Sequence, residues 1–235
     1  MIISIITLFP EVFKPLLGSS ILAKAQEEKK LKVNLINLRD FGLGPHRQVD
    51  DRIYGGGVGM ILRVEPISTA IKKTKGRDWE IARFAFGKIK NQKSKTILLT
   101  PQGKIFTQKI ARGLVKEKQL ILVCGKYEGV DERVRNLVDE EISVGDYILS
   151  GGEIPAMVIL DTITRLIPGV LAKEAIESES LSPSNLLEAP QYTRPEEFKG
   201  MRVPKILLSG NHQKISEWRA REALKKTRKR RPDLL

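Results

Sequence analysis

The sequence predicts an α/β fold built on a parallel sheet, and three observations carry that prediction. Residues 2–9 are apolar nearly throughout, the signature of a strand buried on both faces. Short apolar strands at 96–99 and 120–123 flank a segment of helical spacing, 108–116. Three stretches rich in glycine or proline follow strands: Thr100-Pro101-Gln102-Gly103, residues 124–133 and residues 143–156. Ligands of open α/β sheets bind at the carboxyl ends of strands, so these three stretches predict one site made of loops.

In chain order, the first strand is followed by a helix over 20–27, capped by Ser20, and by an alternating strand over 31–38. A long polar loop, 39–59, ends in Tyr54-Gly55-Gly56-Gly57-Val58-Gly59-Met60. Residues 65–73 read as a helix with Pro66 in its first turn. Within 75–95, residues 81–86 have the composition of a strand and the rest that of a basic loop. Residues 131–138 form a helix, and 154–166 an apolar helix closed by Pro168-Gly169. The texture then changes: 172–184 are rich in Ser and Glu, a linker composition, and lead to one strong helix over 212–228. The expected organisation is an α/β domain over 1–168, a flexible linker over 169–184 and a small helical domain over 185–235.

With 235 residues, 41% of them hydrophobic, the chain can bury a substantial core. No apolar run reaches the length of a membrane span. The start lacks a basic segment and a small-residue cleavage site, so it reads as a core strand. A lone Cys124 excludes an internal disulfide and fits the cytoplasm; with only two histidines there is no zinc cluster. The net charge is +13, and residues 199–235 hold twelve Lys and Arg against Glu217, Glu222 and Asp233. That is an electrostatic footprint for a phosphate backbone. The competing reading is a solvated helix face, but Trp218 and apolar spacing favour a folded element over a loose tail.

The motifs divide into informative and plain. Gly145, Gly151 and Gly152 interrupt an apolar segment, which suits a backbone cradle that a ligand can approach closely. Gly55–Gly59 has neither dinucleotide-fingerprint nor phosphate-loop spacing; it is a contact loop or only a turn. His46, in a stretch of mixed charge, fits a loop hydrogen-bonder better than a catalyst. Asp131 and Glu132 are accounted for as acids at a helix N-terminus, whereas Glu128, between glycines, suits a ligand role. Arg165 at a helix C-terminus is explained by the dipole alone unless a substrate claims it.

These segments together resemble the bacterial tRNA (guanine-N1)-methyltransferase family of the SPOUT class, commonly called TrmD. The likeness runs through His46-Arg47-x-Val49-Asp50-Asp51, Tyr54–Met60, Pro101-Gln102-Gly103, 124–133, 145–156, Ile167-Pro168-Gly169-Val170-Leu171, Tyr192-Thr193-Arg194-Pro195 and 207–212. The resemblance implies a trefoil-knotted parallel-sheet domain with a small helical C-terminal domain. It also implies a cytoplasmic homodimer with active sites between subunits, S-adenosylmethionine as donor, a need for magnesium, and tRNA as partner. The implied target is N1 of guanosine 37, just 3′ of the anticodon, preceded by another guanosine.

By position, the donor pocket falls on Leu99, Pro101, Gln102, Gly103, Gly125, Tyr127, Glu128, Gly129, Val144, Gly145, Tyr147, Leu149, Gly151, Gly152 and Pro155. Substrate contacts fall on His46, Asp50, Tyr54, Gly55, Gly56, Gly57, Gly59 and Met60, with Lys225 and Lys226 expected at phosphates. No residue is assigned to a metal. Guanine N1 carries a proton, so the reaction asks for a carboxylate base and for a cation, Arg165, beside O6. The family's base is a linker aspartate; aligned without gaps, it falls on Ser180. A one-residue shift selects Glu179, in the order Glu179-Ser180-Leu181-Ser182, with Glu177 or no linker carboxylate as alternatives. A catalytically weak tRNA-binding relative is the alternative function, and a cofactor-free RNA-binding module would leave the three loops unexplained.

Overall fold

The computed structural model describes residues 1–76, 94–181 and 185–235, arranged as two compact units, Met1–Val170 and Leu171–Leu235. The strand expected over 81–86 and the end of the expected linker, 182–184, lie outside the described residues.

The first unit is built on a five-stranded sheet with every neighbouring pair parallel, in the order β2-β1-β6-β5-β7. The strands are β1 (Ile2–Thr7), β2 (Lys32–Asn37), β5 (Ser94–Ile105), β6 (Gln119–Cys124) and β7 (Glu140–Ser143). A separate antiparallel pair, β3 (Asp50–Arg52) and β4 (Met60–Leu62), brackets the Gly-rich segment. The helices are α1 (Lys14–Leu17), α2 (Ser20–Glu27), α3 (Val64–Lys75), α4 (Gln108–Leu114) and α5 (Glu153–Leu166).

Period-two alternation sorts each central strand between two cores. Ile3, Ile5, Leu120, Leu122, Ile97 and Leu99 meet Leu22 of α2, Leu114 of α4 and Ile159, Leu160 and Ile163 of α5. Ile6, Ile121, Val123 and Leu98 face the other way and meet Ile67, Ala70 and Ile71 of α3, with Val49 and Leu62. Both faces are covered, which is why β1 reads as a nearly continuous apolar run.

Several local expectations are corrected. The polar loop over 39–59 contains β3 and the buried Val49. Ser19, not Ser20, is the N-cap position of α2; its hydroxyl donates to Leu16 O, and Ser20 itself has φ 50°. The helix expected over 131–138 is a 3-10 helix, Glu132–Leu137, with the Asp131 carboxylate accepting from Arg133 N at its start. Residues 100–103 do not form a loop beyond a strand; they bulge out of β5. Leu99 and Lys104 both pair with Ile142, so the four intervening residues leave the ladder.

The second unit contains α6 (Lys173–Ser178), a two-residue hairpin of β8 (Glu197–Phe198) and β9 (Met201–Arg202), and α7 (His212–Arg230). Part of the segment expected as linker is therefore helical. Asn211 caps α7 by accepting from Lys214 N at 3.0 Å. The buried Thr227 hydroxyl of α7 accepts from Leu187 N at 2.9 Å and donates to Ala223 O.

Candidate active site

A cleft of about 600 Å³ opens in the first unit at the β5 bulge and the carboxyl ends of β6 and β7. Three pieces of chain form it: the β5 bulge, residues 125–132 after β6, and residues 144–152 after β7. Two contacts zip the last two together. Gly152 N donates to Gly125 O at 2.8 Å, and Lys126 and Gly151 form an antiparallel bridge. The wall is largely main chain, because glycines bring backbone together where side chains cannot fit. A Cβ on Gly152 would lie 2.6 Å from Cys124 Cα, and one on Gly151 2.4 Å from an oxygen of Glu153. Gly125 is less constrained; its Cβ would approach Leu99 O only to 3.4 Å.

Leu99, Pro101, Gln102, Gly125, Tyr127, Glu128, Gly129, Val144, Gly145, Tyr147, Leu149, Gly151, Gly152 and Pro155 all line this cleft. Gly103 does not. Its Cβ would stand 2.4 Å from Ile142 N, so glycine here lets the bulged strand return against β7. Sequence reasoning missed Lys126, Glu132, Arg135 and Ile148, which also line the cleft. Arg135 is the organiser at the rim: Nε pairs with Glu132 at 2.8 Å, while its terminal nitrogens reach Glu141 on β7 and the Gln102 side chain in the bulge. The Glu132 hydrogen bond, with Glu141 beside it, raises the Arg135 pKa. The only local signal for any of this is the three-residue spacing from Glu132 to Arg135.

Charge beside the cleft is set locally. Arg133 grips the Asp131 carboxylate through Nε at 2.8 Å and NH2 at 2.7 Å, which holds Asp131 below the ordinary carboxylate range. Burial, with the nearby Glu153, pushes the Cys124 thiol well up, so this cysteine is a packing residue and not a nucleophile. Tyr127 sits at φ 57°, an unusual conformation for an aromatic residue and one that often marks functional loops.

The expected substrate loop joins this cleft through backbone. Glu128 N donates to Met60 O, Leu62 N to Gly129 O and Asp131 N to Leu62 O. The β3–β4 hairpin is thereby stitched to the segment after β6. Its tip presents Tyr54 and Val58, 98% and 91% exposed, with Gly55, Gly56, Gly57 and Gly59 all at positive φ. Asp50 begins β3, and His46 sits exposed at a turn closed by the Leu43–Gln48 bridge.

Arg165 lies half-buried in the last turn of α5, in the first unit. Glu179 follows α6 in the second unit, where it lines a groove of about 1090 Å³ with Glu177, Tyr192, Thr193, Arg194 and Arg219. Ser180 has a structural task, its hydroxyl accepting from Glu188 N at 3.0 Å. Of the two lysines expected at phosphates, Lys225 lies on an exposed strip of α7 with Arg221, Arg228 and Lys229. Lys226 instead donates to Glu188 O at 3.0 Å. Among the described residues, no three His, Cys, Asp or Glu side chains are grouped to hold a metal ion. None of the described helices is long and apolar enough to cross a membrane.

A family model described as tRNA (guanine-1)-methyltransferase TrmD matches residues 1–235. The chain belongs to this family. Its curated relatives include a tRNA (guanine-N(1)-)-methyltransferase of Mycoplasmopsis synoviae, 51% identical over 233 residues, 99% of this chain and 96% of the relative. The protein of the same name from Carboxydothermus hydrogenoformans is 53% identical over 234 residues, 99% of this chain and 87% of the relative. That of Bacillus subtilis is 48% identical over 234 residues, 99% and 91% of the two chains. The glycine-lined cleft, the hairpin and the basic helix all fall inside the TrmD match.

Proposed function

We infer that this chain is a methyltransferase that acts on tRNA, carrying the methyl group of S-adenosylmethionine to N1 of guanosine 37. The carrying observation is the family match, which runs over every residue and includes the cleft at the β5 bulge and the ends of β6 and β7. The cleft fits the donor chemically: its volume suits a nucleoside with an amino-acid arm, and its glycines leave room where added Cβ atoms would strike backbone. When bound, S-adenosylmethionine supplies the methyl group as a sulfonium electrophile.

The chain's own residues supply the rest. Glu128, Tyr127 and the backbone of 149–152 orient the donor. The Tyr54–Met60 tip and the Arg221, Lys225, Arg228, Lys229 strip hold tRNA. Glu179 accepts the N1 proton as guanine attacks, and Arg165 stabilises the negative charge that develops on O6. A homodimer belongs to this reading, supported by the exposed apolar Ile148 of the cleft and Ile154 and Val158 of α5. Magnesium belongs to this reading as a requirement carried from the family resemblance. The weakly catalytic alternative rested on Ser180, and the Ser180–Glu188 hydrogen bond gives that residue a reason of its own.

The test is methyl transfer from labelled donor to a transcript carrying guanosines at 36 and 37, read as 1-methylguanosine after digestion. A transcript with adenosine at 37 should stay unlabelled. Absence of 1-methylguanosine in the first transcript overturns the proposal.

A further inference from the structure

Beneath the cleft lies a closed ring of contacts between residues far apart in the chain. Glu153, at the first turn of α5, is a buried carboxylate with 8% of its surface exposed. It accepts a hydrogen bond from the Thr7 hydroxyl at 2.7 Å, across 146 positions. Thr7 Oγ1 in turn accepts from Phe9 N at 3.0 Å. The Phe9 ring carries the Lys126 ammonium 5.1 Å from its centroid. Lys126 bridges Gly151, and the second oxygen of Glu153 occupies the space a Gly151 side chain would need.

We propose that Glu153 and Thr7 are positioning residues for donor binding, a clamp that fixes the main chain of residues 149–152 as the donor-facing wall. The proposal rests on the donor-cleft reading above. Glu153 is not in the cleft lining, so it acts by fixing the start of α5, the residue after Gly152, and through the oxygen it packs against Gly151. A glycine pair is free to take many conformations, and a wall made of such residues presents fixed N–H and C=O groups only if something pins it. The pin is anchored at one end in β1, the second strand of the sheet, and at the other in α5. Thr7 reaches α5 because odd-numbered residues of β1 face that helix, as Ile3 and Ile5 do.

The clamp serves donor binding, not the chemical step, and this separates it from a merely structural role. Thr7→Val keeps the shape and removes the hydroxyl; Thr7→Ser keeps the hydroxyl. Thr7→Val should weaken S-adenosylhomocysteine binding by calorimetry and raise KM for S-adenosylmethionine, each roughly tenfold, the scale of one lost hydrogen bond to a buried charge. kcat at saturating donor and KM for tRNA should stay within about threefold. Thr7→Ser should restore both donor parameters. A lowered kcat with unchanged donor KM, or a Thr7→Ser variant as weak as Thr7→Val, overturns the clamp. Glu153→Ala should match Thr7→Val if it folds; if it does not, the two Thr7 variants decide alone. Failure of the wild-type chain to bind S-adenosylhomocysteine would instead overturn the donor-cleft reading, whereas equal binding by wild type and Thr7→Val overturns only the clamp.

Discussion

Gly59 rests directly against Glu128: a Cβ on Gly59 would lie 2.7 Å from the Glu128 Cγ. One residue belongs to the hairpin tip and the other to the cleft wall, so the two surfaces meet at a point with no room for a side chain. Three backbone hydrogen bonds run beside it, from Glu128, Leu62 and Asp131. The hairpin and the wall are thereby joined through backbone, so a change at their contact is expected to reach both surfaces.

Gly59→Ala tests this junction. Gly59 has φ +89°, so alanine adds left-handed strain of about 1–2 kcal/mol to the contact with Glu128. The variant should unfold at lower denaturant, and its donor and tRNA affinities should fall together. Gly56→Ala is the control: it shares a positive φ of +85° but meets nothing within 4 Å. It should show the strain without the loss of donor affinity. Equal donor affinity in both variants would mean the junction carries no information between the surfaces.

Gly152→Ala should abolish donor binding more severely than Gly125→Ala. The added methyl at 152 meets backbone atoms of Cys124 and Gly125, which cannot swing aside; at 125 the nearest atom is 3.4 Å away. Gly151→Val lies between, since its obstacles are the Glu153 and Lys126 side chains and a carbonyl. Calorimetric titration with S-adenosylhomocysteine orders the three. A folded Gly152→Ala chain with unaltered affinity would remove these glycines from the donor site.

Much of this arrangement was written in the sequence, and what was not has physical causes. Central strands β1 and β6 were legible because both faces are covered, leaving nearly continuous apolar runs. Edge strand β7 was missed because it opens with Glu140 and Glu141, held by Lys95 at 2.6 Å and by Arg135, partners that only the fold brings near. The segments of the cleft were legible as glycine clusters. Gly103 was misplaced because the same residue type serves a bulge as readily as a ligand, and only the neighbouring β7 backbone tells which. The Thr7–Glu153 bond left no trace at all, since neither residue is unusual in its own stretch.

Acid should loosen the start of the 3-10 helix at Asp131, beside the cleft. Arg133 lowers its pKa in the folded chain relative to the unfolded one, so the pair contributes stability above the ordinary carboxylate value. That contribution starts to fade below about pH 4 and is gone once pH has fallen through the lowered folded value. Asp131→Asn should therefore be less stable than wild type at neutral pH, with the gap closing as pH falls. Denaturant unfolding at a series of pH values measures it. A gap that is constant with pH would assign the effect to the helix cap alone.

tRNA affinity should depend on salt through α7. Arg221, Lys225, Arg228 and Lys229 share one exposed strip, at the spacing that places residues on a single helix face. Neutralising these four should reduce the slope of log affinity against log salt by roughly 0.7–0.9 for each phosphate that no longer meets a cation. Lys226→Gln should leave that slope alone and cost stability instead, because its ammonium is spent on Glu188 O. Filter binding at several salt concentrations separates the two outcomes. An unchanged slope in the fourfold variant would make the strip a solvated face.

The base is the sharpest test of the chemistry. Glu179 follows α6 and lines a groove whose other walls carry Tyr192, Arg194 and Arg219, groups suited to a purine and its phosphates. Ser180, where an ungapped alignment puts the family's aspartate, is bound to Glu188 N and has no carboxylate to offer. Glu179→Gln keeps the shape and loses the ability to take the N1 proton. Turnover should fall by about two to four orders of magnitude, with donor and tRNA affinity little changed. Glu177 lines the same groove, so Glu177→Gln is the companion variant. Should Glu177→Gln be the slow one and Glu179→Gln retain full turnover, the proton acceptor is Glu177. Ser180→Asp in the Glu179→Gln background should restore little activity, because Ser180 is committed to its own loop. Full rescue would show that the ungapped position is the one that reaches guanine N1.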